Sequence, residues 1–377
     1  MVVGVLKEPG DEKRVALLPG EVKTIVGMNA QVWVESGAGS NAFESDQAYT
    51  DAGAEIKNRT TILEGADIVM QINTLSKEDI NSIPEKKVVM NMLSPLANHE
   101  EVRLVKSKNL TVFSMDFVPR TTRAQAMDVL SSMASVAGYK AVLKAAATLP
   151  HFFPMYITSA GSIKPSKVLV LGAGVAGLQA IATARRLGAV VEAFDVRSAV
   201  KEEVMSLGAK FVEVEGATED KAAGGYAVEQ TEEFKKRQSQ AIQDHAIKSD
   251  VVICTAQIPG RKAPVLILKE TVEAMKPGSV IVDLAASTGG NCELTEDNAT
   301  VVKHDVTIIG ESNLPSTMAI DASFMYGKNM INFLKLIVDK EGQLNLNWDD
   351  DIVAGTCITH EGEIKNERIK QVNEANQ

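Results

Sequence analysis

Cysteine is nearly absent from this sequence of 377 residues. Cys254, Cys292 and Cys357 are odd in number, widely spaced and free of any CxxC pairing, so neither a disulfide framework nor a zinc site is expected. Cys254 closes the apolar run VVIC and reads as a small buried hydrophobe. Positive charge is also short: 39 Lys and Arg face 49 Asp and Glu, a net charge of -10. A general nucleic-acid binder needs a basic face, so that partner is excluded, whereas a local cationic pocket for a nucleotide phosphate is not. No stretch approaches the ~18 uninterrupted apolar residues of a membrane span. The opening MVVGVLKEPG has neither the basic leader nor the apolar run of a signal peptide, and a soluble chain is expected. Histidine is scarce, and His99, His151, His245, His304 and His360 show no metal or triad spacing. His99, in a polar loop, reads as a solvated surface residue. Internal repeats and low-complexity tracts are lacking as well.

What is present is an ordinary globular composition, 45% hydrophobic and 23% charged, on a chain long enough for two or three domains. Short apolar segments at 2–6, 31–35, 66–72, 87–92 and 110–113 alternate with helical stretches such as 19–26, as βαβ units with a parallel sheet do. Residues 121–149, rich in Ala, Met and Leu, read as one long helix between two domains, with Thr122 and Gln125 at capping-box spacing. An irregular segment at 149–166 follows. The alternation restarts with strands at 167–171, 190–195, 210–214, 250–255, 279–284 and 306–310, and a charged amphipathic helix around 228–245. A last apolar helix, 317–338, is expected to cross back, so that the C-terminal tail completes the first lobe. The fold class is therefore α/β, two Rossmann-like domains with parallel sheets joined by long helices: 1–135 with 330–377, and 136–329.

The strongest motif is GAGVAG, with Gly172, Gly174 and Gly177, placed between the strand KVLVL and the helical run LQAIATARRLGA. Gly172 permits the tight turn, Gly174 lets backbone approach a pyrophosphate, and Gly177 lets helix pack on strand. The N–H groups after Gly174, on Val175 and Ala176, open the helix and face an anion. The next strand ends in Asp195, 18 residues past Gly177, where a carboxylate accepts from ribose hydroxyls and repels a 2′-phosphate. That favours NAD over NADP. Arg197, two residues on, leaves the alternative open. Thr255, Ala256 and Gln257 follow a strand and run past the cofactor at the strand C-termini. Residues 215–226, with AAGGYA, form either a lid or an ordinary connection.

A Rossmann fold names a cofactor and leaves the reaction open. The segment PRTTRAQAMDVLSS supplies Arg120, Gln125, Asp128 and Ser131, the last three at i, i+3 and i+6 on one helical face. These are groups that orient a carboxamide; equally, they suit a capping partner, a charge at a helix start and a surface cation.

Nearly the whole chain resembles the family shared by alanine dehydrogenase and the NAD-binding first domain of proton-translocating NAD(P) transhydrogenase. The resemblance lies in GVLKEPGDEKRVALLP, VESGAG, GAGVAGLQA, FDVR, GRKAP and KPGSVIVDLA. PRTTRAQAMDVLSS resembles the transhydrogenase branch. That resemblance implies that Arg120, Asp128 and Ser131 hold the NAD nicotinamide and that Gln125 lies between two nucleotides. It also implies a mobile loop closing on NAD(H), with Gly225 beside the contacting Tyr226, and Val196 among the cofactor contacts. Where alanine dehydrogenase has a substrate lysine, this chain reads Gln71-Ile-Asn73; its histidine aligns with Ser94 and its aspartate with Ser287 or a neighbour. Arg14 is the substrate contact retained.

Without those groups a keto acid cannot readily be polarised or protonated, whereas hydride exchange between two nicotinamides needs only rings held at roughly 3–3.5 Å with water excluded. The resemblance thus implies an oxidoreductase and translocase component, inactive or weakly active alone. NAD(H) is bound here, NADP(H) on a partner domain, and a transmembrane partner moves protons. It further implies a homodimer, held peripherally at the cytoplasmic side of the inner membrane if the source is bacterial. The alternatives are an alanine dehydrogenase-like enzyme and a non-catalytic NADH-binding module.

Overall fold

The computed structural model describes residues 1–214, 231–258 and 260–375. They divide into two compact units, Met1–Met133 with Ser316–Gln377, and Ala134–Pro315. The second boundary thus falls ahead of the expected one at 329/330. The helix Ala319–Ile337 packs on the helix Pro19–Val26 and on the 3-10 turns Ser40–Ala42 and Thr122–Met127, all of the first unit.

In the first unit, β1 (Val2–Val5), β2 (Gln31–Glu35), β3 (Glu55–Lys57), β4 (Ile68–Met70), β5 (Val88–Asn91) and β6 (Thr111–Ser114) form a parallel array in the order β3-β2-β1-β4-β5-β6. This is the doubly wound order of a Rossmann fold. Every residue of β4, β5 and β6 is buried, which is why these strands are mostly apolar and show no alternation of apolar and polar faces. Pro19 sits at the first turn of its helix, where its missing N–H costs no bond.

The second unit repeats the winding. After the hairpin β7 (Tyr156–Thr158) and β8 (Gly161–Ile163) come β9 (Lys167–Leu171), β10 (Val190–Phe194), β11 (Lys210–Phe211), β12 (Val251–Cys254), β13 (Val280–Asp283), β14 (Thr300–Lys303) and β15 (Val306–Ile309). The sheet runs β11-β10-β9-β12-β13-β15-β14, parallel except for the edge strand β14. Apolar cores lie on both of its faces, one built on Val168, Val170 and Ile253, the other on Leu169, Leu171 and Val252. The chain then returns to the first unit, where β16 (Cys357–His360) adds antiparallel to β6 and β17 (Glu363–Ile364) to β16. The polar tail forms the helix Glu367–Ala375.

Several expectations are corrected. Residues 121–149 are not one helix: a 3-10 turn, Thr122–Met127, gives way to an extended Asp128 (φ -76°, ψ 91°) before the helix Val129–Thr148. Aspartate disfavours helix interiors because its carboxylate competes for backbone N–H groups, and here it takes the N–H of Ser131 at 2.9 Å. The Thr122–Gln125 capping box consequently does not form. The irregular segment at 149–166 contains the hairpin β7–β8, whose turn Gly161 makes at φ +124°. His99 is half-buried at the start of the helix His99–Ser107, with its Nδ1 enclosed, and is not freely solvated.

Candidate functional site

In the second unit the strand order reverses between β9 and β12, and open α/β sheets bind ligands in that crevice, at the strand C-termini. The glycine loop leaves β9 there. Gly172 has φ +99°, a conformation that L side chains rarely adopt. A Cβ on Gly177 would stand 1.9 Å from the Gly172 carbonyl oxygen, so helix and loop touch backbone to backbone. A Cβ on Gly174 would meet nothing within 4 Å and would project into open space.

Gly174 is the N-cap of the helix Val175–Arg186 and has no side chain to satisfy the first-turn N–H groups. Those of Val175 and Ala176 therefore carry the positive helix end toward solvent. Val175 is exposed and Ala176 half-buried, as a groove lip requires. The loop fits a pyrophosphate.

Asp195 ends β10 beside this loop, and its carboxylate is engaged on both oxygens. Oδ2 accepts from the Ala173 N–H at 2.7 Å and Arg197 Nη2 at 3.0 Å; Oδ1 accepts from Arg197 N at 2.8 Å and Nε at 2.9 Å. Burial alone would push the carboxyl up, but the Arg197 guanidinium and the two backbone N–H groups outweigh it and hold it below the usual range. A ligand hydroxyl approaching Asp195 would have to share or displace Arg197. Val196 is exposed between them, offering an apolar face.

After β12, Thr255 Oγ1 donates to the carbonyls of Leu171 (3.2 Å) and Gly172 (3.1 Å), tying the two loops together. Gln257 Nε2 donates to the Leu284 carbonyl at 2.8 Å. Ala256 is held by a residue that sequence reasoning missed. Asn291 accepts from the Ala256 N–H at 3.0 Å and donates to its carbonyl at 2.9 Å. Asn291 N and Cys292 N in turn donate to the buried Asp283, at 2.7 and 2.9 Å. The signal was the GGN triplet after VIVD, but the pairing spans 35 residues and no local pattern announces it. Gly225 and Tyr226 lie outside the described residues.

In the first unit Arg120 and Gln125 are exposed, and neither side chain has a partner among the described residues. Asp128 and Ser131 are half-buried and coupled: besides the cap, Ser131 Oγ donates to Asp128 Oδ2 at 2.6 Å. The shared helical face expected of Gln125, Asp128 and Ser131 is broken by the extended residue, and only the last two meet directly.

The first unit has its own switch point, between β1 and β4, and there a carboxylate bridges the two loops. Glu8 accepts from Ile72 N at 2.5 Å, Asn73 N at 3.1 Å and Asn73 Nδ2 at 2.9 Å, stitching the two loops. Burial raises its pKa to about 7 against those bonds. Gln71 accepts from Arg59 at 3.0 Å and donates to the Asn73 carbonyl at 3.1 Å. The guanidinium of the buried Arg14 donates to Glu12 at 2.8 and 2.6 Å. Ser94 is exposed in left-handed backbone at φ 50°.

The three cysteines are buried and unpaired, and burial pushes the Cys254 thiol well up. Among the described residues no cluster of His, Cys, Asp and Glu is arranged to hold a metal, and no helix is long and apolar enough to cross a membrane.

Two Rossmann-like units, one with an open glycine loop at its switch point, define a dinucleotide-binding α/β protein. Comparison with known proteins narrows this. Residues 4–137 match the alanine dehydrogenase/PNT N-terminal domain and residues 141–367 the alanine dehydrogenase/PNT C-terminal domain. The chain belongs to the alanine dehydrogenase/PNT family. It is 46% identical to an NAD(P) transhydrogenase subunit alpha chain of Rhodospirillum rubrum, over 97% of each chain. It is 43% identical to NAD(P) transhydrogenase subunit alpha of Haemophilus influenzae, over 96% of this chain and 71% of that one. The crystal structure of transhydrogenase from Sinorhizobium meliloti superposes with a TM-score of 0.86 at 39% identity, covering 98% of this chain and all of that one.

Proposed function

We propose that this chain is the NAD(H)-binding component of a proton-translocating transhydrogenase. Its glycine loop binds the pyrophosphate of NAD(H), and Asp195, Val196 and Arg197 recognise the adenosine end. Thr255, Ala256 and Gln257 line the same crevice. Arg120, Gln125, Asp128 and Ser131 orient the nicotinamide. When bound, the nicotinamide supplies or receives the hydride, exchanged reversibly with NADP(H) carried by a partner domain. Proton movement belongs to a membrane component, through which the chain is held at the cytoplasmic face of a bacterial inner membrane. The chain acts as a homodimer, for which the exposed Met155, Tyr156 and Ile157 at the hairpin β7–β8 offer apolar surface.

One observation carries this reading: the residues at the positions resembling the alanine dehydrogenase acid–base set do not handle protons near neutrality. Gln71 is an amide whose oxygen and nitrogen are both bonded within the protein. Ser94 and Ser287 are exposed hydroxyls. Reduction of a keto acid requires a proton donor, whereas transfer between two nicotinamide rings requires positioning alone.

The test is reconstitution. Purified chain is mixed with a purified NADP-binding partner, and stereospecific hydride transfer from NADH to an NADP analogue is followed. Rapid transfer that needs both proteins is expected. NADH oxidation by the chain alone with pyruvate and ammonia would favour an amino-acid dehydrogenase, and transfer at background would favour a non-catalytic module.

A further inference from the structure

Gln125 is exposed on a six-residue 3-10 turn that no side chain caps. Such a turn is a poor platform for an amide that must be aimed, because 3-10 hydrogen bonds are badly aligned and short runs fray. Two elements of the C-terminal return fasten it, one on each side of Gln125. On one side, Arg123 Nη1 and Nη2 donate to Asp350 Oδ2 and Oδ1, both at 2.7 Å, and Nη2 also reaches Asp351. Asp350 is itself fixed, as the N-cap of the helix Asp351–Thr356, accepting from Ile352 N at 2.8 Å. On the other side, the Ala126 carbonyl accepts from Asn329 Nδ2 at 2.8 Å and Asn332 Nδ2 at 3.0 Å, both on the helix Ala319–Ile337.

We propose that Arg123 with Asp350, and Asn329 with Asn332, are positioning residues that hold the Gln125 amide in place for hydride transfer; this rests on the function proposed above. Stability alone does not account for the arrangement. Arg123 is half exposed, and ion pairs in that setting add little to folding. A bidentate guanidinium–carboxylate pair does fix direction, however, and two carboxamides on one carbonyl fix the neighbouring peptide plane. Together they leave residue 125 as the free crest between two fixed points.

Asp350→Asn separates the two duties of Asp350. Asparagine caps a helix about as well as aspartate, so the helix start survives while the charged fork is lost. Arg123→Gln removes the other partner. In the reconstituted mixture with saturating nucleotides, each single variant should transfer hydride about ten-fold more slowly or worse, since ångström-scale misplacement costs up to 100-fold. NADH affinity and melting temperature should stay close to wild type. The double variant should be no slower than the slower single, and Arg123→Lys, which lacks the fork, should not restore the full rate. Wild-type rates in both singles, multiplying losses in the double, or losses matched by weaker NADH binding or lower melting temperature would overturn the proposal. A wild-type mixture that transfers nothing sinks the functional reading instead. Amide hydrogen exchange across residues 122–128 then decides the anchoring by itself: faster exchange in both variants is expected, and unchanged exchange refutes it.

Discussion

The Asp128 carboxylate holds Ser131 twice, by its backbone N–H at 2.9 Å and its hydroxyl at 2.6 Å. One side chain thus starts the helix Val129–Thr148 and places a negative charge beside a hydroxyl in the segment proposed to face the nicotinamide. Asp128→Asn retains one acceptor for the N–H and lets the Ser131 hydroxyl accept in turn, so folding should be nearly unchanged. Asp128→Ala should lower stability by about 1 kcal/mol through loss of the cap. Thermal unfolding separates the two. If positioning is the role, both should depress hydride transfer more than NADH binding; equal losses would count against it.

The glycine loop offers a contrast between fold and ligand. Gly177→Ala drives a Cβ against the Gly172 carbonyl at 1.9 Å, backbone that cannot rotate away. It should destabilise by about 1–3 kcal/mol, as overpacking does. Gly174→Ala meets nothing and has an ordinary φ of -78°, so stability should stay within about 1 kcal/mol of wild type. NADH affinity should nevertheless fall about ten-fold or more, because the new methyl stands where backbone must meet the pyrophosphate. Tight NADH binding by Gly174→Ala, measured by calorimetry, would remove the pyrophosphate from this loop.

Asp195 and Arg197 form one charged unit at the end of β10, so their variants should pull cofactor choice in opposite directions. Asp195→Asn removes the repulsion of a 2′-phosphate and the strongest ribose acceptor, and should weaken NADH about ten-fold while narrowing the gap to NADPH. Arg197→Ala removes the cation and should widen that gap. Paired dissociation constants for NADH and NADPH check both; a ratio moving the same way in the two variants would contradict the assignment.

Glu8 predicts how stability varies with pH. Its pKa is raised from 4.5 to about 7 in the folded chain, so between those values the folded state binds more protons than the unfolded one. Its contribution is complete below pH 4.5 and is lost as pH rises through about 7. The loss is on the order of 3 kcal/mol. Glu8→Gln should be less stable at pH 5, since an amide replaces one acceptor oxygen, yet should flatten the slope between pH 5 and 8. Denaturant titrations of both proteins at several pH values measure it, and parallel slopes would exclude Glu8 as the source.

Much of the fold was legible in the amino-acid order. The helix Pro19–Val26 and the strands β2 and β9 match the expected segments residue for residue, because each combines a clear apolar pattern with punctuation at both ends. Less legible were β3, β14 and the hairpin β7–β8, short, exposed or edge segments in which local pattern is weak. The break at Asp128 was hidden because a long Ala- and Met-rich run outweighs one carboxylate in any local count, although the carboxylate governs the backbone. Of the candidate site, the glycine loop and Asp195 could be read directly, since their chemistry depends on near neighbours.

Sequence alone determined that two βαβ windings follow one another and that a glycine loop opens the second, because strand period, glycine spacing and helix starts are local properties. Tertiary structure alone decided how the loops at each switch point are tied. Glu8 reaches across 64 residues to join the loops of the first, while Asn291 fixes the loop after β12 in the second. It also decided that Gln125 is braced from both sides by the C-terminal return. Such choices depend on hydrogen bonds between groups far apart in the chain, which exist only once the sheets have formed.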